Sequence, residues 1–295
     1  MEYIEAKTIV TKTKSREWFG TDYNMNIYKG CCHGCIYCDS RSSCYHIEEF
    51  DRVRAKKDAL RIIRDDLRRK VKTGVVGCGS MSDPYNPFEK ELLLSRHALE
   101  LMDAFGFGAA IATKSDLVVR DADILSSIQE HSPVIVKFTV TTADDKLAKQ
   151  LEPGAPVSSK RLEVLAQLSS QGIFAGILLM PVLPWLEDSK ENVTAIVEKA
   201  REAGARFIYP FFGMTLRDNQ REWYFEQLDH LFPEQKLSEK YRKRYGNRYV
   251  CASPQAKVLW QVFVSKCEEY GILYQMNDII HAYQKNYEVT QLSLF

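Results

Sequence analysis

The sequence predicts an α/β fold, a partial (β/α)6 TIM-like barrel with one open side and a mostly helical C-terminal extension. Three observations carry this expectation. Short β-rich runs alternate with amphipathic helical patterns from about residue 25 to residue 210. Such alternation implies parallel strands joined by right-handed crossovers. The runs make six units, too few to close the usual eight-stranded barrel, whose reactive groups sit at the C-terminal strand ends.

The six strands are expected at Met25–Tyr28, Val75–Cys78, Ala109–Thr113, Val134–Thr141, Ile173–Met180 and Arg206–Tyr209, each rich in β-branched or apolar residues. Between them, Leu92, Leu99 and Met102 mark a helix over Glu89–Phe105, and Leu162, Leu165 and Leu168 mark one over Val157–Gln171, with Gly172 as its stop. Asp188 and Glu191 resemble a capping box ahead of Val193, Ile196, Val197 and Ala200, and Gly204 closes that helix. Residues 51–72 are strongly basic, but Val53, Leu60, Ile63 and Leu67 give them the stripe of an amphipathic helix with a solvated outer face. After Phe211 the chain reads as mostly helical, with a last short strand near Ile272–Gln275. The expected division is a barrel over 1–215, an extension over 216–288 packed on it, and a mobile tail over 289–295.

Composition narrows the function. Lys plus Arg number 40 against 39 Asp plus Glu, a formal charge of +1, which argues against a generally cationic nucleic-acid-coating protein but leaves room for a local basic patch. The N-terminal run Met1–Val10 lacks a basic segment followed by an apolar core. The longest apolar stretch, Gly172–Leu186, is broken by Pro181 and Pro184 and falls short of the roughly 20 residues that span a bilayer. A soluble, cytoplasmic protein with no membrane partner is expected.

Cysteine placement is the sharpest signal. Five of the 8 cysteines fall between Cys31 and Cys44, while Cys78, Cys251 and Cys267 are scattered. Clustered thiols in a chain of this kind point to metal or redox chemistry rather than a disulfide scaffold. Cys31, Cys35 and Cys38 have C-x3-C-x2-C spacing directly after the first expected strand. Three thiolates can ligate three irons of a 4Fe–4S cubane and leave the fourth iron open. An open iron suits a chelating amino acid, here the amino and carboxylate groups of S-adenosylmethionine. One electron from the reduced cluster then cleaves the sulfonium and releases a 5′-deoxyadenosyl radical, which the protein must aim at a substrate and shield from water. A structural zinc site built from the same cysteines with His33, His46 or Cys44 is the competing reading, but zinc sites gather two ligand pairs and no second pair is present. Cys32 competes with Cys31 as first ligand; Gly30, fitting a tight turn into the loop, favours Cys31.

The run from Asn26 to Arg41, with Gly30-Cys-Cys-His-Gly-Cys-Ile-Tyr-Cys38 at its centre, resembles the radical S-adenosylmethionine superfamily. The wider chain resembles its spore photoproduct lyase-like branch, a group of DNA-repair, photolyase-like enzymes. The resemblance runs through Ser82–Glu89, Thr113-Lys114-Ser115, Arg120-Asp121, Leu151-Glu-Pro-Gly154 followed by Lys160-Arg161-Leu162, and Tyr241–Tyr249. A departure is Asp39-Ser40-Arg41, where many relatives carry Tyr-Ala-Arg; it lies past the last ligand. The resemblance implies further roles. Tyr37 would set its backbone near the adenine, and Ser82 and Asp83 would meet the cofactor's methionine amino group. Lys114 would touch the cofactor, as would the hydroxyl of Thr139 or Thr141. The bland alternative for each is an ordinary polar residue at a strand end. In that branch a cysteine near the end of the second strand returns a hydrogen atom to the product radical. The matching place here is Ser80, two residues past Cys78, so Cys78 is either a donor reached by a small shift or a small buried hydrophobe.

For the substrate, Lys240–Tyr249 interleaves cations and aromatics: Tyr241, Arg242, Lys243, Arg244, Tyr245 and Arg248 could pair phosphates and stack bases, or could form a solvated helix end with tyrosines packed inward. Arg217 matches, by spacing, an arginine near the substrate in the branch. The chain ends Gln291-Leu292-Ser293-Leu294-Phe295, which resembles the pentapeptide that docks bacterial repair and replication proteins on the sliding clamp; the alternative is a tail packed on its own domain. Together these imply a lyase-type radical enzyme that repairs a DNA lesion such as a thymine photoproduct, fed by an electron donor such as flavodoxin or ferredoxin. The alternatives are a radical enzyme acting on RNA, a peptide or a small molecule, and a non-catalytic metal-binding module for nucleic acid.

Overall fold

The computed structural model describes residues 1–287. Its centre is a seven-stranded sheet. Six parallel strands follow chain order: β1 (Tyr23–Met25), β2 (Val75–Cys78), β3 (Gly108–Thr113), β4 (Val134–Thr139), β5 (Ala175–Leu179) and β6 (Phe207–Pro210). A short antiparallel strand, Val10–Lys12, pairs with β1 and forms one edge; β6 forms the other, so the barrel stays open. Alternation along each strand sorts side chains into two layers. Outward residues such as Val76, Ile111, Val136 and Ile177 pack on the surrounding helices, Leu94–Ala104, Ser158–Ser170 and Lys190–Glu202 among them. Inward residues Val75, Ala110, Ile135 and Phe207 pack around Phe19 and Tyr283, which plug the N-terminal end.

The structure departs from the sequence reading at element ends. The expected first strand is split: Tyr23–Met25 joins the barrel, whereas Tyr28–Lys29 pairs with Arg54–Lys56 in a separate three-stranded sheet with Glu2–Ile4. That long-range pairing takes Val53–Lys57 out of the expected helix, which covers only Ala59–Arg68. The helix after β2 breaks at Leu93, whose φ is 53°, because the Glu89 carboxylate turns back to accept Ser95 N–H at 2.9 Å and so caps Leu94–Ala104. Ser189, not Asp188, caps Lys190–Glu202; the Asp188 carboxylate accepts instead from Trp185 N and Ser253 Oγ. Near Ile272–Gln275 there is one isolated bridge, Leu273 to Phe207, rather than a strand.

Beyond β6, a two-stranded pair, Gly213–Thr215 with Val250–Ala252, and the helices Asp218–Leu231 and Leu237–Tyr245 lean on the cysteine loop. They share one core with it: Cys35, Ile36 and Tyr37 pack with Leu183, Met214, Tyr224 and Tyr241. The helix Ala256–Tyr270 returns to cover Lys190–Glu202. No helix among the described residues is long and apolar enough to cross a membrane. The expected tail lies outside the described residues.

Candidate active site

The C-terminal strand ends and the cysteine loop enclose a cavity of about 410 Å³, within the range of small-molecule sites. Cys31, Cys35 and Cys38 all line it, and Cys32 does not. The loop that presents them is folded by close backbone approaches. Gly30 has φ 81°, and a Cβ there would lie 2.4 Å from the Arg52 carbonyl oxygen. Cys31 N–H donates to the Phe50 carbonyl at 2.8 Å, so the head of the loop is fixed by main chain. Burial is the main force that pushes the Cys31 thiol up to about 12, and it raises Cys35 and Cys38 as well. Thiols so placed ionise only against a compensating positive charge, which a metal cluster supplies. Among the described residues no three His, Cys, Asp or Glu side chains converge tightly enough for a single ion. A cubane asks for something else, three thiolates on three separate irons beside open space. The donors and the cavity fit that group. The partners considered for zinc lie apart: Cys44 and His46 are exposed, and His33 faces Asp83 at 3.5 Å with its imidazole held low by burial.

The same cavity gathers Tyr37, Ser82, Asp83, Lys114 and Thr139. Asp83 is occupied by its own neighbours: Oδ1 accepts from Thr113 Oγ1 at 2.7 Å and Tyr85 N at 2.9 Å, and Oδ2 accepts from Lys114 N at 2.8 Å. It ties the end of β2 to the end of β3. Ser82 Oγ donates to the Tyr28 carbonyl at 3.1 Å. Lys114 reaches toward the loop over the Tyr37 ring, 5.6 Å from its centroid, and lies 3.9 Å from Glu152. Burial opposes its charge, but Cys35 and Glu152 outweigh burial and raise its pKa.

Two expected contacts are corrected. Thr141 is turned away from the cavity and donates to Glu187 at 2.6 Å, a carboxyl that burial pushes up to about 8. Cys78 faces the outer layer, where it packs with Ile111 and Leu99 and lines only a cavity of about 20 Å³ between sheet and helix. The strand pleat decides this, since Gly77 and Gly79 point inward on either side of it. Cys78 is a packing residue here.

At the mouth, Tyr249 lines the cavity and accepts a hydrogen bond from Arg217, which is also 3.4 Å from Asp39 and holds Cys44 Sγ at 3.4 Å. Asp39 further accepts from Tyr45 and Thr215 at 2.9 and 3.0 Å. The expected base-stacking tyrosines are corrected as well: Tyr241 and Tyr245, four residues apart, share the inward face of their helix with Leu237 and are buried against Tyr224 and Trp185. Arg242, Lys243, Arg244 and Arg248 remain exposed.

Sequence reasoning missed Glu152 and Arg161. Both are almost fully buried and joined to each other, Glu152 also accepts from the Tyr37 hydroxyl, and Arg161 donates to the Thr139 carbonyl at 2.8 Å. Their signal was present in the Leu151–Gly154 and Lys160–Leu162 runs, quoted without a role. A second cavity, about 510 Å³, lies at the opposite end of the barrel among Phe174, Arg206, Tyr283 and Tyr287, far from the cysteines.

The family model for the Radical SAM superfamily matches residues 25–194, which hold the cysteine loop and the strands β2 to β5. The chain belongs to the radical SAM superfamily. As a member it uses a 4Fe–4S cluster and S-adenosylmethionine, and solved neighbours carry AdoMet in one case and a 4Fe–4S cluster in another. An uncharacterized protein of Mycobacterium tuberculosis is 30% identical over 249 residues, 82% of this chain and 72% of that protein. Another, of Methanocaldococcus jannaschii, is 33% identical over 187 residues, 63% of this chain and 68% of that protein. In architecture the radical SAM chain is similar to spore photoproduct lyase complexed with dinucleoside spore photoproduct, with a TM-score of 0.67 at 13% identity over 91% of this chain and 79% of that one. It is also similar to the radical S-adenosylmethionine methyltransferase TsrM from Kitasatospora setae, TM-score 0.54 at 13% identity over 84% of this chain and 51% of that one. At such identities the likeness shows the fold. The partial barrel is thereby that of the family.

Proposed function

We propose that this radical SAM enzyme acts on damaged DNA, as a lyase that reverses a base lesion such as a thymine photoproduct. The observation that carries the reading is the continuity of the site: one cavity runs from the three cysteines to Tyr249, which is bonded to Arg217, with the cations of the Leu237–Tyr245 helix outside. An aromatic hydroxyl beside a guanidinium at the mouth suits a substrate that is both planar and anionic, as a nucleotide is. The solved neighbour bound to a dinucleoside photoproduct supports the same reading.

Cys31, Cys35 and Cys38 would hold the cluster, which would supply the one-electron reduction that cleaves S-adenosylmethionine to methionine and a 5′-deoxyadenosyl radical. The chain does the rest. Lys114 and Thr139 border the cofactor space, Tyr37 and Ser82 shape its walls, and Asp83 fixes the strand ends that hold them. Arg217 orients the phosphodiester at the mouth, and Arg242, Lys243, Arg244 and Arg248 contact flanking backbone. Gln291, Leu292, Leu294 and Phe295, outside the described residues, dock the enzyme on a sliding clamp; removing residues 291–295 should abolish clamp binding and leave cofactor cleavage intact. A flavodoxin- or ferredoxin-type protein supplies electrons in the cytoplasm.

The test is anaerobic incubation of the reconstituted enzyme with S-adenosylmethionine, dithionite and ultraviolet-irradiated DNA, followed by mass spectrometry of the nucleosides. Loss of a photoproduct with recovery of the parent base is expected. Cofactor cleavage that no irradiated DNA stimulates would turn the reading toward RNA, peptide or small-molecule substrates.

A further inference from the structure

The Leu151–Gly154 turn grips the cysteine loop from behind. Ile36 N–H donates to the Leu151 carbonyl at 3.0 Å, and Gly154 N–H donates to the His33 carbonyl at 2.8 Å. The two segments are so close that a Cβ on Gly154 would lie 2.3 Å from the Cys32 carbonyl oxygen. Between these main-chain bonds sits the Glu152 carboxylate, 2% exposed as a residue. Its oxygens face three cationic or donor groups: the Tyr37 hydroxyl and the Arg161 guanidinium as hydrogen-bond donors, and the Lys114 ammonium at 3.9 Å. Arg161 is itself 1% exposed and anchored on the Thr139 carbonyl. Burial works against the Glu152 charge, but Arg161 and Lys114 overcome it and keep the carboxyl below its usual range.

We propose that Glu152 is the positioning residue of the cluster site, fixing Tyr37 and Lys114 against the Cys35–Cys38 segment and, with Lys114 and Arg161, setting the cluster's reduction potential. Within this triad two cations face one carboxylate, and Asp83, which lines the same cavity, is a further negative charge near Cys31 that the substitutions below leave in place. Reduction adds one electron and no proton to the cluster, so a positive wall favours the reduced form and a negative group disfavours it. Glu152 and Arg161 are out of water and Lys114 keeps only 18% of its side chain exposed, at the cavity, so the effect is weakly screened. Charge and hydrogen bonding around the sulfurs are among the levers that set such potentials. Glu152 moderates the pull of Lys114 while holding it in place. The inference needs no substrate and stands whatever the substrate is.

It is tested on the full-length, anaerobically reconstituted enzyme without substrate, by dithionite titration of the cluster's electron paramagnetic resonance signal. Glu152→Gln removes the negative charge and should shift the one-electron equilibrium toward the reduced form about tenfold, about 59 mV upward. Lys114→Met should shift it by a similar factor in the opposite direction, and Glu152→Asp, which keeps the charge, should stay near the parent value. A general loosening of the loop would move all variants the same way, and that result overturns the proposal, as do unchanged potentials in both Glu152→Gln and Lys114→Met. Should Glu152→Gln fail to retain iron, the pair Lys114→Met and Glu152→Asp decides the matter: a drop in the first with no change in the second supports the proposal, and any other pattern overturns it.

Discussion

Two lysines inside the same barrel meet opposite fates. Lys114 ends β3, at the cavity, with Glu152 at 3.9 Å and the cysteine thiols nearby, and its charge is reinforced. Lys137 lies in the middle of β4, beside Ala112 and Gly176 on the neighbouring strands, and only 2% of it is exposed. No carboxylate pairs with it among the described residues, and its ammonium sits over the Phe19 ring, 4.8 Å from the centroid. Burial drags its pKa from 10.5 to about 7. The residue type is the same, and although Lys137 is the more deeply buried, Lys114 keeping 18% of its side chain exposed at the cavity, burial opposes both charges and the partner decides the sign. A buried charge serves where a carboxylate answers it, and it costs stability where none does.

The largest effect should come from the cysteines at the head of this arrangement. Cys35→Ala removes one of the three proposed ligands, and the anaerobically purified protein should lose its brown colour and most of about four irons per chain. A variant that keeps its iron would remove Cys35 from the site. Next, Arg161→Met leaves the Glu152 carboxylate buried without its closest cation, and breaking such a pair costs about 3–5 kcal/mol. Urea unfolding should show a midpoint lowered to match. By contrast the exposed Arg242–Glu222 pair should contribute about 0–1 kcal/mol, so its removal should leave the midpoint nearly unchanged.

Lys137→Met should have the opposite sign. In the unfolded chain the lysine holds its proton up to about 10.5, whereas in the fold it holds it only up to about 7. Between those values the unfolded state binds more protons, so stability rises with pH across the window, and the full penalty is present below 7. The substitution should therefore stabilise the protein by up to about 5 kcal/mol below pH 7, a gain that fades to almost nothing above 10.5. A gain independent of pH would mean that Lys137 is not charged where burial opposes it.

The legibility of these regions in the sequence follows from range. That Cys31, Cys35 and Cys38 would line one cavity was readable because their spacing is set within one short loop, and β2 and β5 because buried parallel strands are continuous apolar runs. The Arg54–Lys56 strand was not readable, since its partners Glu2–Ile4 and Tyr28–Lys29 are distant in the chain. Cys78 failed at a different step: its strand was right, but which face it took depended on a register that one residue reverses. Thr139 and Thr141 are two residues apart, the spacing that shares a face within a strand, yet only Thr139 lines the cavity; Thr141 lies beyond the strand end and donates to Glu187. Glu152 was hidden because its meaning lies in Tyr37, Lys114 and Arg161, which no periodicity connects.

The smallest effect separates two classes of side chain on one helix. On Leu237–Tyr245 the 3.6-residue repeat sends Leu237, Tyr241 and Tyr245 inward and leaves Arg242, Lys243 and Arg244 in solvent. Stacking is thus closed to the tyrosines, but phosphate pairing stays open to the cations. Arg242 is already engaged with Glu222 at 3.0 Å and with the Phe225 ring, so Lys243 and Arg244 should carry most of any contact. Each neutralised phosphate releases counterions with a salt slope of about 0.9 on duplex and about 0.7 on single strands. Replacing Arg242, Lys243 and Arg244 with alanine should lower the slope by about two, weaken DNA binding uniformly across sequences, and leave cofactor cleavage untouched. Tyr249→Ala at the cavity mouth should do the reverse, lowering turnover with the slope unchanged. If the triple variant binds DNA as before, the helix is an outer wall only, and recognition must reside at Arg217 and Tyr249.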